Sequence, residues 1–339
     1  MRIFFFTTVF APSVGGIERM AEMLCGAFVA QGHEVQLATS TPGDGGDDRF
    51  PYPVHRRPGG VRFARLLRWC DVHVQANVSL KHAWPLVAAP GRVVYRHANV
   101  YQRDDGTVGL LDRAKRWVAR RAPGIANSRY TARQLGCRHT ILNAYDDTTF
   151  RCTQPWDERP GELVFLGRLV SQKGCDTLLD ALGRLREAGR TPALTVIGDG
   201  PDRTMLQDRA RALGIASQVT FAGRLEGTAL AAALNRHRIV VVPSRYEEPF
   251  GIVALEALAC GCVPVVSERG GLIDAVGSHG VGFPNGDDAA LADRLKALLA
   301  DPAAARRRLA GTEAHLAQFR RDRVAARYAE VFTEVVGRA

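Results

Sequence analysis

Short apolar runs alternate with segments of helical period along the whole chain, and that alternation is the signature of parallel β-α units. Residues 2–7 read as a first strand, 17–31 as a helix closed by Gly32, and 34–39 as the next strand. Residues 41–48 form a Gly/Asp-rich loop, and 72–75, 92–96, 122–127 and 139–143 read as further strands. The pattern then stops. Residues 154–161, Gln-Pro-Trp-Asp-Glu-Arg-Pro-Gly, read as a linker. Strands resume at 162–167, 193–198, 218–223, 238–243 and 263–267, each followed by a helical-period segment. Near the end, Val324, Tyr328, Val331, Phe332 and Val335 fall at helical spacing and predict an amphipathic terminal helix over 322–336 that packs on a core.

A length of 339 residues suits two domains, with 46% hydrophobic residues to fill both cores. The expected division is 1–153, 154–321, and a terminal helix at 322–339. No apolar run approaches the 20 or so residues of a membrane span, and the apolar opening lacks the flanks of a signal peptide, so it reads as a buried strand. The seven cysteines are scattered without a CxxC pair, which predicts reduced thiols in a cytoplasmic protein rather than a zinc site or a disulfide framework.

Three segments have the residue types that chemistry needs. Residues 246–257, Tyr-Glu-Glu-Pro-Phe-Gly-Ile-Val-Ala-Leu-Glu-Ala, follow a buried strand, turn, and enter a helix. Glu248 falls at the C-terminal end of that strand, where open α/β sheets bind ligands, and Glu256 falls inside an apolar helix. The free N–H groups at the helix start suit a phosphate, and a carboxylate one to two turns on suits ribose hydroxyls. The plainer alternative is an exposed Glu256 and a surface-turn Glu248. Residues 167–174, Gly-Arg-Leu-Val-Ser-Gln-Lys-Gly, place Arg168 and Lys173 after the next domain's first strand. Two cations there can neutralise a diphosphate without a metal; otherwise they form a solvated basic loop. Ser13-Val14-Gly15-Gly16 joins the first strand to the first helix, and its glycines permit close approach of a ligand, although it is neither a GxGxxG nor a Walker A sequence. His97 ends a strand of the first half, a place that suits contact with a sugar as well as a structural role. No D-x-D, GxSxG or HExxH sequence occurs, so no metal ligand set is indicated.

Together these segments resemble the retaining family 4 glycosyltransferases of the GT-B fold. Glu248 and Glu256 match the E-x7-E motif, and residues 165–182 (FLGRLVSQKGCDTLLDAL) match the G-R-L…K-G segment. Residues 194–201 (LTVIGDGP), 265–276 (VVSERGGLIDAV), 127–131 and 143–150 match in the same order. The resemblance implies two Rossmann-like α/β domains with parallel sheets facing a central cleft, and a C-terminal helix crossing back. It also implies transfer of a sugar from a nucleotide diphosphate-sugar donor, with retained configuration and no cofactor or metal. Glu256 would hold the donor ribose and Glu248 a hydroxyl of the sugar. Backbone groups of Phe250, Gly251, Ile252 and Val253 would hold sugar and diphosphate. Arg168 and Lys173 would stabilise the leaving diphosphate. Gly16 would line the donor and acceptor side of the cleft, His97 would approach the transferred sugar, and Gly223 and Arg224 would flank the base. The acceptor implied is a cell-envelope polysaccharide, a glycolipid or a lipid-linked precursor. The first half is compressed between Tyr52 and Gln75, which leaves acceptor identity the least determined part.

Charge is uneven. Residues 1–150 hold 20 Lys/Arg against 12 Asp/Glu, and the remainder 25 against 23. Residues 110–121 are a basic amphipathic segment, with Leu110, Leu111, Trp117 and Val118 beside Arg113, Arg116 and Arg120. A second basic cluster holds Arg56, Arg57, Arg62, Arg65 and Arg68. One reading is peripheral docking on an anionic membrane at its cytoplasmic face; the other is a helix packed through Trp117 with solvated arginines. No nucleic-acid recognition motif accompanies the charge. Other functions open to such a chain are an epimerising or phosphorylase enzyme of the same fold, or a protein that binds a nucleotide sugar without transfer.

Overall fold

A computed structural model describes residues 1–13, 15–103 and 106–337. The chain divides into two compact units, residues 1–145 with 318–339, and residues 146–317. The first contains strands β1 (Arg2–Thr7), β2 (Glu34–Thr39), β3 (Val54–Arg56), β4 (Val72–Ala76), β5 (Val93–His97), β6 (Gly124–Ala126) and β7 (His139–Thr140). They form one sheet in the order β3-β2-β1-β4-β5-β6-β7. The second contains β8 (Gly161–Leu166), β9 (Leu194–Ile197), β10 (Val219–Gly223), β11 (His237–Val242), β12 (Val263–Ser267) and β13 (Val281–Phe283), ordered β10-β9-β8-β11-β12-β13. Every strand pair is parallel. Each sheet therefore has the doubly wound, Rossmann-like order.

Parallel sheets are covered by helices on both faces, so their central strands are apolar without alternation. Ile3, Phe4, Phe5 and Phe6 of β1 are all buried, as are Ile239 through Val242 of β11. The short strands β3 and β13 have three residues each, too few for a periodic signal, and are visible only as partners of β2 and β12.

The helices used below are α1 (Gly16–Ala30), α2 (Gly60–Trp69), α3 (Leu110–Ala119), α4 (Cys175–Glu187), α5 (Ile252–Ala259) and α6 (Arg321–Val336). The terminal helix α6 belongs to the first unit. Its apolar stripe lies on α1, where the Phe28 ring is 5.6 Å from Phe332 and 6.3 Å from Tyr328, and Gln31 Nε2 donates to the Asp322 carbonyl at 2.8 Å. Each such buried aromatic side chain contributes about 2–3 kcal/mol, which outweighs the single polar contact.

The division at residues 145/146 falls ahead of the Pro/Gly-rich segment 154–161. The reason is local. Buried Asn235 accepts from the Thr153 N–H at 2.7 Å and donates to the Arg151 carbonyl at 3.0 Å, so the chain is docked on the second unit before it reaches Pro155. Among the described residues, no helix is long and apolar enough to cross a membrane.

Candidate functional site

In the second sheet the strand order reverses between β8 and β11. Loops leaving these two strands run to opposite faces, and a crevice opens at their C-terminal ends. The loops are residues 167–174 after β8 and 243–251 after β11. Gly174, at φ +66°, sits where the loops touch: a Cβ there would lie 1.9 Å from the Pro243 carbonyl oxygen. Gly198, at φ +144°, lets the end of β9 approach Gly167 equally closely. The Leu169 N–H donates to the Asp199 carbonyl at 2.9 Å and fixes the loop that carries Arg168.

Glu248 is buried in this crevice, not on a surface turn. Its Oε1 accepts from Lys173 Nζ at 2.8 Å and from the Ser244 hydroxyl. Its backbone is held by a third loop, since the Gly271 N–H donates to the Glu248 carbonyl at 2.6 Å and Glu248 bridges to Gly270. Burial opposes the charged form of Lys173, but the Glu248 carboxylate and the Tyr246 hydroxyl outweigh it and hold its pKa above the ordinary lysine value.

The 243–251 loop ends at Gly251, φ +94°, and α5 begins at Ile252. The first N–H groups of a helix lack intrahelical partners, so Phe250 through Val253 bring donors to the same edge. Glu256 lies one turn on and is buried, which removes the reading of it as an exposed helix residue. Arg168 is exposed at the crevice rim. At the end of β10, two strands from β8, Gly223 accepts the Gly198 N–H at 2.8 Å, while exposed Arg224 pairs with Glu226. The second unit thus gathers Arg168, Lys173, Glu248, Phe250, Gly251, Ile252, Val253 and Glu256 around one crevice, with Gly223 and Arg224 further along its edge.

Gly16 and His97 belong to the first unit. Gly16 opens α1; Val14 lies outside the described residues. The Glu18 carboxylate folds back over this helix start, accepting from Ser13 Oγ at 2.9 Å and lying 2.6 Å from where a Gly15 Cβ would be. His97 is fully buried. Its Nδ1 lies 2.8 Å from the Tyr101 hydroxyl, and its Nε2 faces Gly124 and Cys137 inside the same unit without a hydrogen-bond partner. Burial, with a smaller contribution from Arg96, lowers its pKa to about 3. Neither ring nitrogen faces outward.

Ser244, Tyr246 and Gly270 complete the site and carry no sequence signal of their own. They read as turn residues until Glu248 is seen to be buried among them.

In α3 the packing is done by Val118 and Ala119, which join a buried cluster with Val78, Val93, Tyr95, Tyr101 and Leu135. Trp117 is 57% exposed, so the helix is not packed through it. The Arg121 guanidinium lies 3.8 Å above the Trp117 ring. Arg116 turns inward and donates to the carbonyls of Val100 and Tyr101, which leaves Arg113 and Arg120 as the solvent-facing members of the basic trio.

The two-unit fold is that of solved glycosyltransferase structures of the GT-B class. Anabaena Alr3699/HepE in complex with UDP and glucose superposes with a TM-score of 0.80 at 20% identity, covering 98% of this chain and 99% of that one. Sucrose-phosphate synthase from Thermosynechococcus elongatus gives 0.83 at 20% identity over the full length of both chains. The second unit places the chain in the glycosyl transferases group 1 family, whose model matches residues 146–314. Glycogen synthase of Mycobacterium tuberculosis is 44% identical over 151 residues, which are 44% of this chain and 36% of that protein. D-inositol 3-phosphate glycosyltransferase of Salinispora arenicola is 37% identical over 192 residues, 53% of this chain and 42% of that one. The chain therefore matches less than half the length of these curated relatives.

Proposed function

We propose that this chain transfers a sugar from a nucleotide diphosphate-sugar to a saccharide or lipid-linked acceptor, with the donor held in the crevice of the second unit. The observation that carries the reading is the Lys173–Glu248 pair at the switch point, its carboxylate buried and its ammonium partly so, on the loop that also carries Arg168 and beside the loop that leads into α5. Such an edge offers a diphosphate two cations and a row of backbone N–H groups, and it offers a sugar and a ribose two buried carboxylates. In this reading Glu256 takes the ribose hydroxyls and Glu248 a sugar hydroxyl. Backbone groups of Phe250 through Val253 take sugar and diphosphate, and Gly223 and Arg224 flank the base. Gly16 lines the donor and acceptor side. His97, with both nitrogens turned inside its unit, is left out of the contacts.

Departure of the diphosphate builds negative charge on its oxygens. In this reading Arg168 and Lys173 meet that charge, and preorganised stabilisation of this kind lowers the barrier without reorganisation at the moment of reaction. Front-face attack by the acceptor, deprotonated by the leaving phosphate, would retain configuration and needs no protein nucleophile. Transfer is the reading favoured over binding alone, because both cations and both carboxylates are present. The neighbour crystallised with UDP and glucose makes UDP the first nucleotide to test.

The test is a thermal shift with UDP, GDP and ADP and their glucose or mannose derivatives, run beside Glu256→Ala. A ligand that binds only the native state raises the melting temperature by mass action. Stabilisation by one diphosphate, lost in the variant, supports the donor site and names the base. No shift with any of them removes the reading. An inverted product would remove the retaining mechanism alone.

The outer face of α3 supports a second element, docking of the first unit on an anionic membrane surface. Leu110 is 83% and Leu111 69% exposed, and Arg113, Arg120 and Arg121 of the same segment are exposed too, Arg121 against the Trp117 ring. Trp84 and Val87, which flank the packed Leu86, are exposed as well. Apolar insertion combined with arginine attraction to phospholipid headgroups is the physics of a peripheral helix.

A further inference from the structure

Lys173 carries its charge on a flexible four-carbon stem, which by itself costs about 2 kcal/mol of rotamer entropy to hold still. Three groups restrain it here. Glu248 Oε1 is 2.8 Å from Nζ, the Tyr246 hydroxyl is 3.2 Å away, and Nζ stands 5.1 Å from the centroid of the Tyr246 ring. Two of the three ammonium N–H bonds are thereby directed, and no third acceptor lies within reach among the described residues. The Lys173 side chain keeps 25% of its surface exposed, while Glu248 keeps 6%.

Tyr246 is itself built in. The Arg245 N–H donates to the Gln172 carbonyl at 2.9 Å, and the Arg245 side chain reaches Asp176 at 2.6 Å and Thr177 Oγ1 at 3.2 Å. Asn285 Nδ2 reaches the Tyr246 carbonyl at 3.4 Å. These contacts tie the loop after β11 to the loop after β8, to the start of α4 and to the segment after β13. The backbone that carries Tyr246 is therefore held by groups other than the Lys173 ammonium.

We propose that Tyr246 is a positioning residue: its hydroxyl holds the Lys173 ammonium beside Glu248 so that its remaining N–H meets the departing phosphate. The proposal rests on the donor-site reading above. A lysine held only by a carboxylate spends its charge on that partner. A phenol offers a neutral second anchor that leaves the charge available to a ligand. Tyr246 acts through Lys173 and need not touch the donor.

The experiment is a double-mutant cycle with Tyr246→Phe and Lys173→Met. Release of UDP from UDP-glucose is followed, and UDP binding is measured by calorimetry. GDP-mannose or ADP-glucose replaces UDP-glucose if the thermal shift selects that base. Tyr246→Phe keeps the ring and the fold. It should lower kcat about tenfold while changing diphosphate affinity less than about threefold. Tyr246→Leu, which also removes the ring, should cost more. In the Lys173→Met background neither substitution should lower kcat further. Equal losses in both backgrounds, or an unchanged kcat in Tyr246→Phe, overturn the proposal while leaving the donor site intact. A wild type that neither binds a nucleoside diphosphate nor releases one from its sugar overturns the donor-site reading, and the proposal with it.

Discussion

Gly174 and Pro243 are in backbone contact so close that a Cβ on Gly174 would lie 1.9 Å from the Pro243 carbonyl oxygen. The contact joins the loop after β8 to the end of β11, and Lys173 and Glu248 face each other across it. Gly174→Ala adds a methyl group to this space and strains a residue at φ +66°. The expected loss is about 2–4 kcal/mol of stability in urea unfolding, with weakened diphosphate binding in the protein that still folds. Unchanged stability would mean that the two loops separate easily.

Arg159 is buried and donates to the carbonyls of Gln154 at 2.9 Å, His237 at 2.9 Å and Cys260 at 2.8 Å. Cys260 closes α5, so a cation sits at the negative end of the helix that bears Glu256. Arg159→Met removes the donors and leaves the carbonyls behind. It should cost about 3–5 kcal/mol, measured by denaturant unfolding, and should raise the dissociation constant for the diphosphate by loosening α5.

Two histidines make the first unit sensitive to acid. Burial, partly offset by the Phe4 carbonyl, lowers the pKa of His73 to about 4, and burial with Arg96 lowers that of His97 to about 3. Both are favoured neutral in the folded state. Their contribution to stability is complete above the unfolded histidine pKa, about 6.5, and is lost as pH falls toward 4 and 3. The first unit should therefore lose up to about 1.4 kcal/mol per pH unit per histidine below pH 6.5. Unfolding midpoints taken between pH 7 and pH 4.5 would show it, and His73→Gln should flatten the slope. A pH-independent midpoint over that range would contradict the assignment.

Sedimentation with vesicles containing phosphatidylglycerol at low salt tests the outer face of α3. Binding should fall as salt rises, and Arg113→Ala and Arg120→Ala should each weaken it about fivefold, from about 1 kcal/mol per arginine near the surface. Arg116→Ala should affect stability rather than binding, because Arg116 is occupied by the Val100 and Tyr101 carbonyls. Absence of vesicle binding by the wild type would end the membrane reading.

The succession of strands and helices was legible in the chain because apolar periodicity is a local property. Ile3 through Phe6 and Ile239 through Val242 announce strands covered on both faces, and the spacing of Val324, Tyr328, Phe332 and Val335 announces the terminal helix. Glu248, Glu256, Arg168 and Lys173 stood out as charged residues at strand ends or within an apolar helix. What they do for one another was not legible. Lys173 and Glu248 are far apart in the chain, and only the crossover of parallel strands brings them to one crevice. Ser244 and Tyr246 look like turn residues until Glu248 is buried between them. His97 shows the opposite case: its strand-end position suggested contact with a sugar, yet the rotation of its side chain, set by packing with Tyr95 and Tyr101, turns both nitrogens inward. Trp117 looked like a packing residue and is exposed, because Val118 and Ala119 take the buried side of α3. Sequence by itself determined the α/β elements, the two apolar cores and the residue types available for chemistry, since these depend on near neighbours along the chain. Tertiary structure alone decided burial, pairing and side-chain direction, since these depend on which distant backbone comes within a few ångströms.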